Sequence, residues 1–273
     1  MTTRTVRTLH APRREDVGDL VTRRPAHRME QLNPFLFINH HGPQVYRPNN
    51  SGLPFGPHPH RGFETVTFIV DGSLVHRDTA SHESEIGAGG IQWMTAGSGV
   101  EHSETSPPEF LRDGGPLEIL QLWINLPSAL KMSEPGYTGL QREDTPSAEA
   151  DGATMHFIAG ERGPIDSLTH VTLITIDLRA GAQIELAAPK ERVVLLYVVR
   201  GELTNAKTFH LMEMNTDGDI VEIEAATDAM FIFGHADPID EPIAAYGPFV
   251  MNTQAEIMRT IREYESGAFP RSA

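Results

Sequence analysis

Residues 65–76 read Thr65-Val-Thr-Phe-Ile-Val-Asp-Gly-Ser-Leu-Val-His76. The stretch opens with β-branched and apolar residues, which are typical of a buried β-strand. Asp71-Gly72 is a turn signal that commonly joins antiparallel strands. Ser73–His76 can supply the partner strand. The stretch therefore predicts a β-hairpin.

Further short strands with turns between them lie around this hairpin. Gly87–Gly90 predicts a turn before the strand Ile91–Met94, and Leu117–Leu126 is another alternating apolar segment. Helical periodicity is scarce between Leu36 and Trp123. Regularly spaced short strands favour a β-sandwich or β-barrel, so we predict an all-β fold.

One clear helix is predicted, at the end of the sequence. Thr253-x-x-Glu256 matches a capping box, which begins a helix. Ile257, Ile261 and Tyr264 form an apolar stripe at helical spacing. We expect this helix to pack on the outside of a sheet.

The β pattern occurs twice. Phe68–Gly72 aligns with Tyr197–Gly201, and the same offset places Gly89–Ile91 on Gly218–Ile220. Two turn landmarks that share one offset predict two copies of one β-fold. The composition becomes rich in Pro, Gly and acidic residues after Ser133. We therefore predict an N-terminal domain over residues 1–133 and a C-terminal domain over residues 134–273.

Two pairs of coordinating side chains carry the chemistry. His58 and His60 are separated by one residue, and His102 and Glu104 follow later in the chain with the same spacing. Residues at positions i and i+2 of a strand share a face, about 6.5–7 Å apart along the chain. Two such pairs on neighbouring strands would direct three imidazoles and one carboxylate into one space. The pattern predicts a metal site inside a β-barrel.

The donor set limits the choice of metal ion but does not identify a single ion. Imidazole and carboxylate suit Fe(II), Mn(II), Ni(II), Cu(II) or Zn(II). Four protein ligands leave up to two positions open on a six-coordinate ion, as in a catalytic site. The offset between the two copies places Ala187, Pro189, Phe231 and Phe233 at the corresponding positions of the second copy. The second domain is therefore predicted to lack metal ligands.

The composition excludes several classes of protein. The 273 residues include no cysteine, which excludes disulfides, iron–sulfur clusters and cysteine nucleophiles. A net charge of −15 argues against direct binding to nucleic acid. No apolar run is long enough for a membrane span, and no apolar segment follows the N-terminal arginines as in a secretory signal. We expect a cytoplasmic protein without a membrane association.

Several longer motifs resemble those of the pirin family, whose members are bicupins of the cupin superfamily. They are Asn33–Pro43, His58–Thr65, Gln92–Gly97, His102–Glu104, Gln121–Pro127 and Tyr246–Asn252. The resemblance implies two antiparallel β-barrel (jelly-roll) domains face to face, a C-terminal helix and one iron in the N-terminal barrel. It assigns the ligand roles to His58, His60, His102 and Glu104. Glu64, at the glutamate position of the general cupin motif, is then expected to have a supporting role.

The resemblance also implies two alternative functions. The first is a quercetin 2,3-dioxygenase type of enzyme, which would use O₂ to open the central ring of a flavonol or a similar enolisable aromatic. Glu104 would then be the catalytic residue, as a metal ligand, a general base or both. The second is a non-enzymatic iron-binding regulator that binds a transcription factor or a metabolic enzyme. The expected cofactor is one divalent transition metal, with Fe(II) favoured and Mn, Ni, Cu or Zn open.

Other side chains of the N-terminal half have weaker claims to the site. His40, His41 and His76 could support the ligands by hydrogen bonds, although ordinary structural roles are favoured for them. Trp93 and Trp123 fit positions in a barrel core, with stacking on a substrate as the less favoured alternative.

Overall fold

The computed structural model describes residues 1–25 and 32–269. In the first half of these residues the strands are β1 (Val6–His10), β2 (Arg13–Arg14), β3 (Thr22–Arg24), β4 (Phe35–Tyr46), β5 (Phe55–His60), β6 (Phe63–Asp71), β7 (Ser73–Asp78), β8 (Glu83–Gly87), β9 (Ile91–Thr95), β10 (Val100–Thr105) and β11 (Gly115–Asn125). The later strands are β12 (Gly136–Leu140), β13 (Ser147–Ala150), β14 (Ala153–Ala159), β15 (Thr172–Leu178), β16 (Gln183–Ala187), β17 (Val193–Arg200), β18 (Leu211–Met214), β19 (Ile220–Glu224), β20 (Ala229–Ala236), β21 (Ala244–Tyr246) and β22 (Phe249–Met251). The α-helices are α1 (Pro108–Asp113) and α2 (Gln254–Glu265). The all-β prediction with a C-terminal helix is confirmed.

The strands form two compact units. The described parts of Arg14–Thr22, Leu36–Arg142 and Ile239–Ala273 make one unit, which we call the N-terminal barrel. Those of Met1–Arg13, Arg23–Phe35 and Glu143–Pro238 make the other, the C-terminal barrel. A linear division after Ser133 remains a prediction about the domain boundary. In space, the start of the chain packs with the C-terminal barrel, and α2 packs with the N-terminal barrel.

Each barrel contains a large antiparallel sheet and a smaller one. In the N-terminal barrel the orders are β12-β9-β6-β11-β4-β3-β2 and β5-β10-β7-β8. In the C-terminal barrel they are β1-β18-β17-β20-β15-β14-β13 and β16-β19. Apolar side chains fill the interiors, for example Ile69, Leu74 and Ile119 in the first barrel and Leu196, Phe231 and Phe233 in the second.

The hairpin predicted over residues 65–76 is wrong in its pairing, although both strands exist. β6 lies between β9 and β11 in the large sheet, whereas β7 pairs with β8 and β10 in the small sheet. Both edges of β6 are occupied, so no edge is left for β7. The Asp71-Gly72 turn instead carries the chain from one sheet to the other. Gly72 has φ +81°, and an added Cβ would lie 2.7 Å from the carbonyl oxygen of Pro116.

The first alignment of the internal repeat, Phe68–Gly72 with Tyr197–Gly201, agrees with the structure. The second, Gly89–Ile91 with Gly218–Ile220, is wrong. β6 and β17 hold corresponding central positions in their large sheets. β6 lies between β9 and β11, and β17 lies between β18 and β20. The connection from β6 to β9 contains the β7–β8 hairpin, whereas a much shorter loop without strands leads from β17 to β18. The offset between the copies is therefore smaller after the central strand than before it. Ile91, which begins β9, corresponds to Leu211, which begins β18, and not to Ile220.

The same change of offset shows that Phe231 and Phe233 are not the counterparts of His102 and Glu104. The strand that corresponds to β10 is β19, because each pairs with the strand (β5 or β16) that precedes the central strand. Phe231 and Phe233 lie instead on β20. The buried positions of β16 and β19 include Leu186, Val221 and Ile223, whose apolar side chains belong to the core.

No helix within residues 1–25 and 32–269 combines the length and the apolar character that a membrane span requires.

Candidate metal centre

Two adjacent strands of the small sheet bring the predicted histidines together. β5 and β10 are antiparallel, with His58 opposite His102 and His60 opposite Val100. His60 and His102 are each only 2% exposed, and His58 is half-buried. Alternation along the two strands therefore directs three imidazoles to the inside of the N-terminal barrel.

The three imidazoles form a compact cluster. One nitrogen from each of His58, His60 and His102 lies within 4.8 Å of the other two. The ring centroids are separated by 4.9 Å (His58–His60), 4.4 Å (His58–His102) and 4.9 Å (His60–His102). Among residues 1–25 and 32–269, this is the one group of three or more such side chains with the spacing of a metal site. The cluster could hold a metal ion.

Hydrogen bonds orient two of the rings. His58 Nδ1 lies 2.7 Å from the carbonyl oxygen of Gly56, and His60 Nδ1 lies 3.3 Å from that of Pro248. A carbonyl oxygen can only accept, so each Nδ1 carries the proton and donates it. Each Nε2 then keeps a lone pair, which is the form that coordinates a metal.

The cluster leaves buried nitrogen atoms unsatisfied. His60 Nε2 and both ring nitrogens of His102 have no hydrogen-bond partner among the described residues. A buried polar atom without a partner costs about 1–3 kcal/mol, so native proteins rarely keep several in one place. A cation bound between the rings would remove most of this cost. The residues present therefore fit a metal ion.

Burial and the neighbouring rings keep His60 and His102 neutral. Burial, followed by the neighbouring His58, lowers the pKa of His60 to about 3. The pKa of His102 is also well below its usual value, mainly through burial and then through His60, His58 and His76. Neutral imidazoles at pH 7 are the state that a metal ion requires of its ligands.

Glu104 is close to the cluster in sequence but is not part of the group of three. Its carboxylate accepts hydrogen bonds from Thr67 Oγ1 (2.9 Å), Gln92 Nε2 (2.5 Å) and Gln121 Nε2 (2.8 Å). The pairing of β10 with β5 shifts its register between His102 and Glu104. Such a bulge re-aims the side chains that follow it. The buried carboxylate is held in place by three donors from three strands.

The donors to Glu104 were not predicted from the sequence. Gln92 and Gln121 begin two of the pirin-like motifs, but the motifs themselves do not indicate that these side chains bind Glu104. A polar residue within a strand of apolar residues is the sequence feature that could have indicated these donors. Gln92 and Thr67 are indeed buried, at 3% and 1% exposed. Buried amides and hydroxyls need partners, which makes them pointers to a buried charge.

Three further histidines have partners of their own. His76 Nε2 lies 2.9 Å from Asp78, His40 Nε2 lies 2.8 Å from Glu118, and His41 Nδ1 lies 2.8 Å from the Thr22 hydroxyl. Of the three, His76 approaches the cluster, with its ring 5.3 Å from that of His102 and stacked on Tyr137 at 4.1 Å.

Glu64 and the two tryptophans support the site from the core. Glu64 accepts hydrogen bonds from Trp93 Nε1 (3.1 Å) and Thr95 Oγ1 (2.7 Å), and burial raises its pKa. Trp123 packs 5.5 Å from the His60 ring and 4.4 Å from Phe63. It gives the cluster an apolar wall.

Residues near the C-terminus contact Arg61, which directly follows His60. Arg61, the next residue, forms a bridge with Phe249 of β22, and Val250 N donates to the Arg61 carbonyl oxygen at 3.0 Å. The Arg61 guanidinium donates to Ser98 O (2.7 Å) and to Glu263 Oε2 (2.5 Å) on α2. Residues far apart in sequence therefore fix the backbone beside the cluster.

Two family models cover most of the chain. The model described as Pirin matches residues 16–124, and that described as Pirin C-terminal cupin domain matches residues 173–270. A pirin-like protein of Solanum lycopersicum is 36% identical over 95% of this chain and 91% of its own length. The chain belongs to the pirin family.

Relatives named for an activity are also similar. A Pseudomonas aeruginosa protein provisionally named quercetin 2,3-dioxygenase is 37% identical over 89% of this chain and 88% of its own length. A crystal structure of quercetin 2,3-dioxygenase from Acinetobacter baumannii is 31% identical, with a TM-score of 0.91 and full coverage of both chains. The solved structure and the two family models thus agree on a two-cupin fold for this chain.

Proposed function

We propose that this pirin is a metal-dependent dioxygenase of the quercetin 2,3-dioxygenase type, acting on flavonols or similar enolisable aromatics. The observation that carries the proposal is the cluster of three imidazoles, in which buried nitrogens of His60 and His102 have no partner in the described part of the chain. The names of the similar Pseudomonas and Acinetobacter proteins support the reaction class.

In this proposal His58, His60 and His102 hold one divalent ion, with Glu104 as a fourth ligand. Fe(II) is the favoured ion, while the donor set also accepts Mn, Ni, Cu or Zn. Glu104 is able to serve because a carboxylate has about four acceptor positions, and its partners in the described part of the chain use three. The remaining position is on Oε2, to which Gln121 alone donates among the residues that the structure describes.

When bound, the ion would act as a Lewis acid that makes the 3-hydroxyl of a flavonol more acidic. Glu104 is the proposed fourth ligand in the resting state, and when it leaves the ion its Oε2 atom becomes the proposed acceptor of that proton. Trp123, which packs on the fully buried Phe63, offers the flavonol an apolar wall, and the burial of His60 and His102 limits the access of water. In the overall reaction both atoms of O₂ enter the product, two C–C bonds of the central ring break and one carbon leaves as carbon monoxide.

The test combines metal analysis with turnover. Protein purified and loaded with Fe(II) is mixed with quercetin in air, and the loss of quercetin absorbance and the release of carbon monoxide are measured with and without a chelator. We expect chelator-sensitive turnover with one carbon monoxide per quercetin.

Histidine variants provide the matched controls. His60→Ala and His102→Ala should each lose most of the metal and of the turnover, whereas His170→Ala, at a side chain that is 81% exposed, should lose neither. Full metal content in His102→Ala, or turnover that resists the chelator, would reject the proposed site.

The second candidate function is a metal-dependent regulator that binds a transcription factor or a metabolic enzyme. Family members named simply pirin-like, without an activity in the name, favour it. Bound iron without flavonol turnover, together with partner binding that His102→Ala abolishes, would support this function over the first. We propose a cytoplasmic location and no direct contact with nucleic acid under either function.

A further inference from the structure

The C-terminal barrel contains a cavity that the proposed reaction does not use. Its volume is about 750 Å³, and it is lined by residues of β14, β15, β16 and β20 and by the loop between β14 and β15. All of its lining residues belong to the C-terminal barrel. The volume is in the range that small-molecule sites have.

The strand register places this cavity at the position of the metal centre in the repeated fold. Trp123 pairs with Thr65 on β6, and His235 pairs with Val194, which the repeat aligns with Thr65. In the same register Phe233 takes the place of Gln121. The C-terminal barrel has therefore kept a cavity where the N-terminal barrel has its site, with different polar groups around it.

The floor of the cavity is apolar. Phe157, Ile174, Leu186 and Phe233 are buried, line the cavity and belong to one core cluster. Ile174 lies opposite both Phe157 and Phe233 in the sheet, so the three side chains share its inner face. Arg162, which also lines the cavity, lies over the Phe157 ring at 3.7 Å from its centroid. Ile174, Leu186 and Phe233 are therefore the apolar surface that suits a flat hydrophobic group such as an aromatic ring.

A histidine at the end of the same face has a buried ring nitrogen that no described residue contacts by a hydrogen bond. His235 is 8% exposed, and its Nδ1 atom has no hydrogen-bond partner among the described residues. Its ring lies 6.0 Å from that of Phe233. Burial, and then the charge of Arg192, lower the pKa of His235 to about 4, so the ring is neutral at pH 7.

Arg192 supplies a positive charge beside this histidine. It precedes β17 by one residue and lines the same cavity as His235. One guanidinium nitrogen donates to the carbonyl oxygen of His170 at 2.5 Å, and Nε lies 3.4 Å from Asp237, without hydrogen-bond geometry. The Arg192 side chain is 15% exposed and that of Asp237 is 72% exposed. Because Asp237 is so much more exposed, water weakens the attraction between its charge and that of Arg192.

We propose that this cavity binds a small aromatic monocarboxylate, with the ring on the apolar floor and the carboxylate between Arg192 and His235. An arginine accommodates a carboxylate by charge-assisted hydrogen bonds, and the Nδ1 atom of His235 can donate one more as the corresponding tautomer. The acidic side chains at the border, Glu161, Asp166 and Glu185, are exposed and screened by water. The proposal does not depend on the activity of the N-terminal barrel.

The test measures binding of benzoate to the full-length, metal-loaded protein by calorimetry. Benzamide has the same shape without the charge, and acetate has the charge without the ring. We expect one benzoate site, with binding at least about tenfold weaker for either analogue and for the variants Arg192→Gln and His235→Gln. Arg192→Lys should keep part of the affinity, because it keeps the charge but not the planar fork.

Control variants separate this cavity from the metal centre and from damage to the fold. Arg179→Gln removes an exposed arginine of the same barrel and should leave benzoate binding unchanged. His102→Ala should also leave it unchanged. Benzoate binding that survives Arg192→Gln, that His102→Ala abolishes, or that benzamide matches would overturn the proposal.

Discussion

Three side chains donate hydrogen bonds to the carboxylate of Glu104. Thr67 and Gln92 both donate to Oε1, while Gln121 alone among the described residues donates to Oε2. This asymmetry leaves one acceptor position on Oε2, where a metal ion or a substrate proton can bind. The three donors also fix the side chain, so either role would cost little reorganisation.

Glu104→Gln tests these roles with little change of shape. We expect the three histidines to keep the metal at saturating concentration, while kcat on quercetin falls by about 10²–10⁴-fold because the proton acceptor is lost. Metal content by elemental analysis and steady-state kinetics measure the two effects. Unchanged turnover at full metal occupancy would eliminate the role of Glu104 as a base.

His235 makes the stability of the C-terminal barrel depend on pH. Its pKa is about 4 in the folded protein, against roughly 6.5 in an unfolded chain. Between these values the unfolded state binds more protons, so stability is complete above about pH 6.5 and is lost as the pH falls toward 4. The full contribution is about 3 kcal/mol at most.

His235→Gln should therefore flatten the loss of stability between pH 6.5 and 4. Urea unfolding at several pH values, with fluorescence and circular dichroism as probes, measures the free energy of unfolding. His170→Gln, at an exposed ring, serves as the control and should follow the parent protein. Equal slopes for His235→Gln and the parent would contradict the assigned pKa.

At the scale of elements, the turn after each central strand depends on glycine for two separable reasons. Gly201, which follows β17, has φ +72°, and an added Cβ would lie 2.0 Å from the carbonyl oxygen of Asp228. Gly181, in the same barrel, has φ +77° and open space around that position. The two glycines share the backbone strain but differ in steric crowding.

Gly201→Ala should destabilise the protein by clearly more than Gly181→Ala. The positive φ costs each variant about 1–2 kcal/mol, and only Gly201→Ala adds the clash with backbone atoms. Thermal and urea unfolding compare the two variants with the parent. Equal destabilisation would mean that the turn moves to accommodate the methyl group.

The start of α2 is stabilised by the capping box that its sequence predicts. Thr253 Oγ1 accepts from the Glu256 backbone N–H at 3.2 Å, and the Glu256 carboxylate accepts from the Thr253 N–H at 2.8 Å. Thr253→Ala should lower the free energy of unfolding by about 1 kcal/mol without a change in metal content. Thr138→Ala, at an exposed strand position, is the control. A loss of metal in Thr253→Ala would show that the helix end also controls the cluster.

For the whole molecule, a bound metal ion would link the stability of the fold to the site. The ion would bind the folded chain, where three histidines are gathered, and not the unfolded chain. A ligand at 100 times its Kd adds about 2.7 kcal/mol to stability. It would also relieve the unpartnered nitrogens of His60 and His102.

Removal of the metal should accordingly lower the Tm of the parent protein and leave that of His102→Ala nearly unchanged. Differential scanning calorimetry with and without a chelator, followed by readdition of Fe(II), measures the effect. A chelator that shifts both proteins equally would indicate that the ion stabilises the chain at another place.

Local patterns in the sequence determined the strands, the C-terminal helix and the histidines of the cluster. Strand alternation, capping and i, i+2 spacing depend only on neighbouring residues, which is why these predictions agree with the structure. The pairing of β6, by contrast, depends on which strands occupy its edges, and the hairpin predicted at Asp71-Gly72 was wrong for that reason.

Tertiary structure alone decided how the site is completed. Glu104 meets Thr67, Gln92 and Gln121 because three non-consecutive strands lie side by side. His60 meets the carbonyl oxygen of Pro248, which lies near the other end of the chain. The shorter connection after β17 changed the alignment of the two copies, which no uniform offset could anticipate. Side-chain periodicity is a property of each strand by itself, whereas register and sheet order result from packing the whole chain.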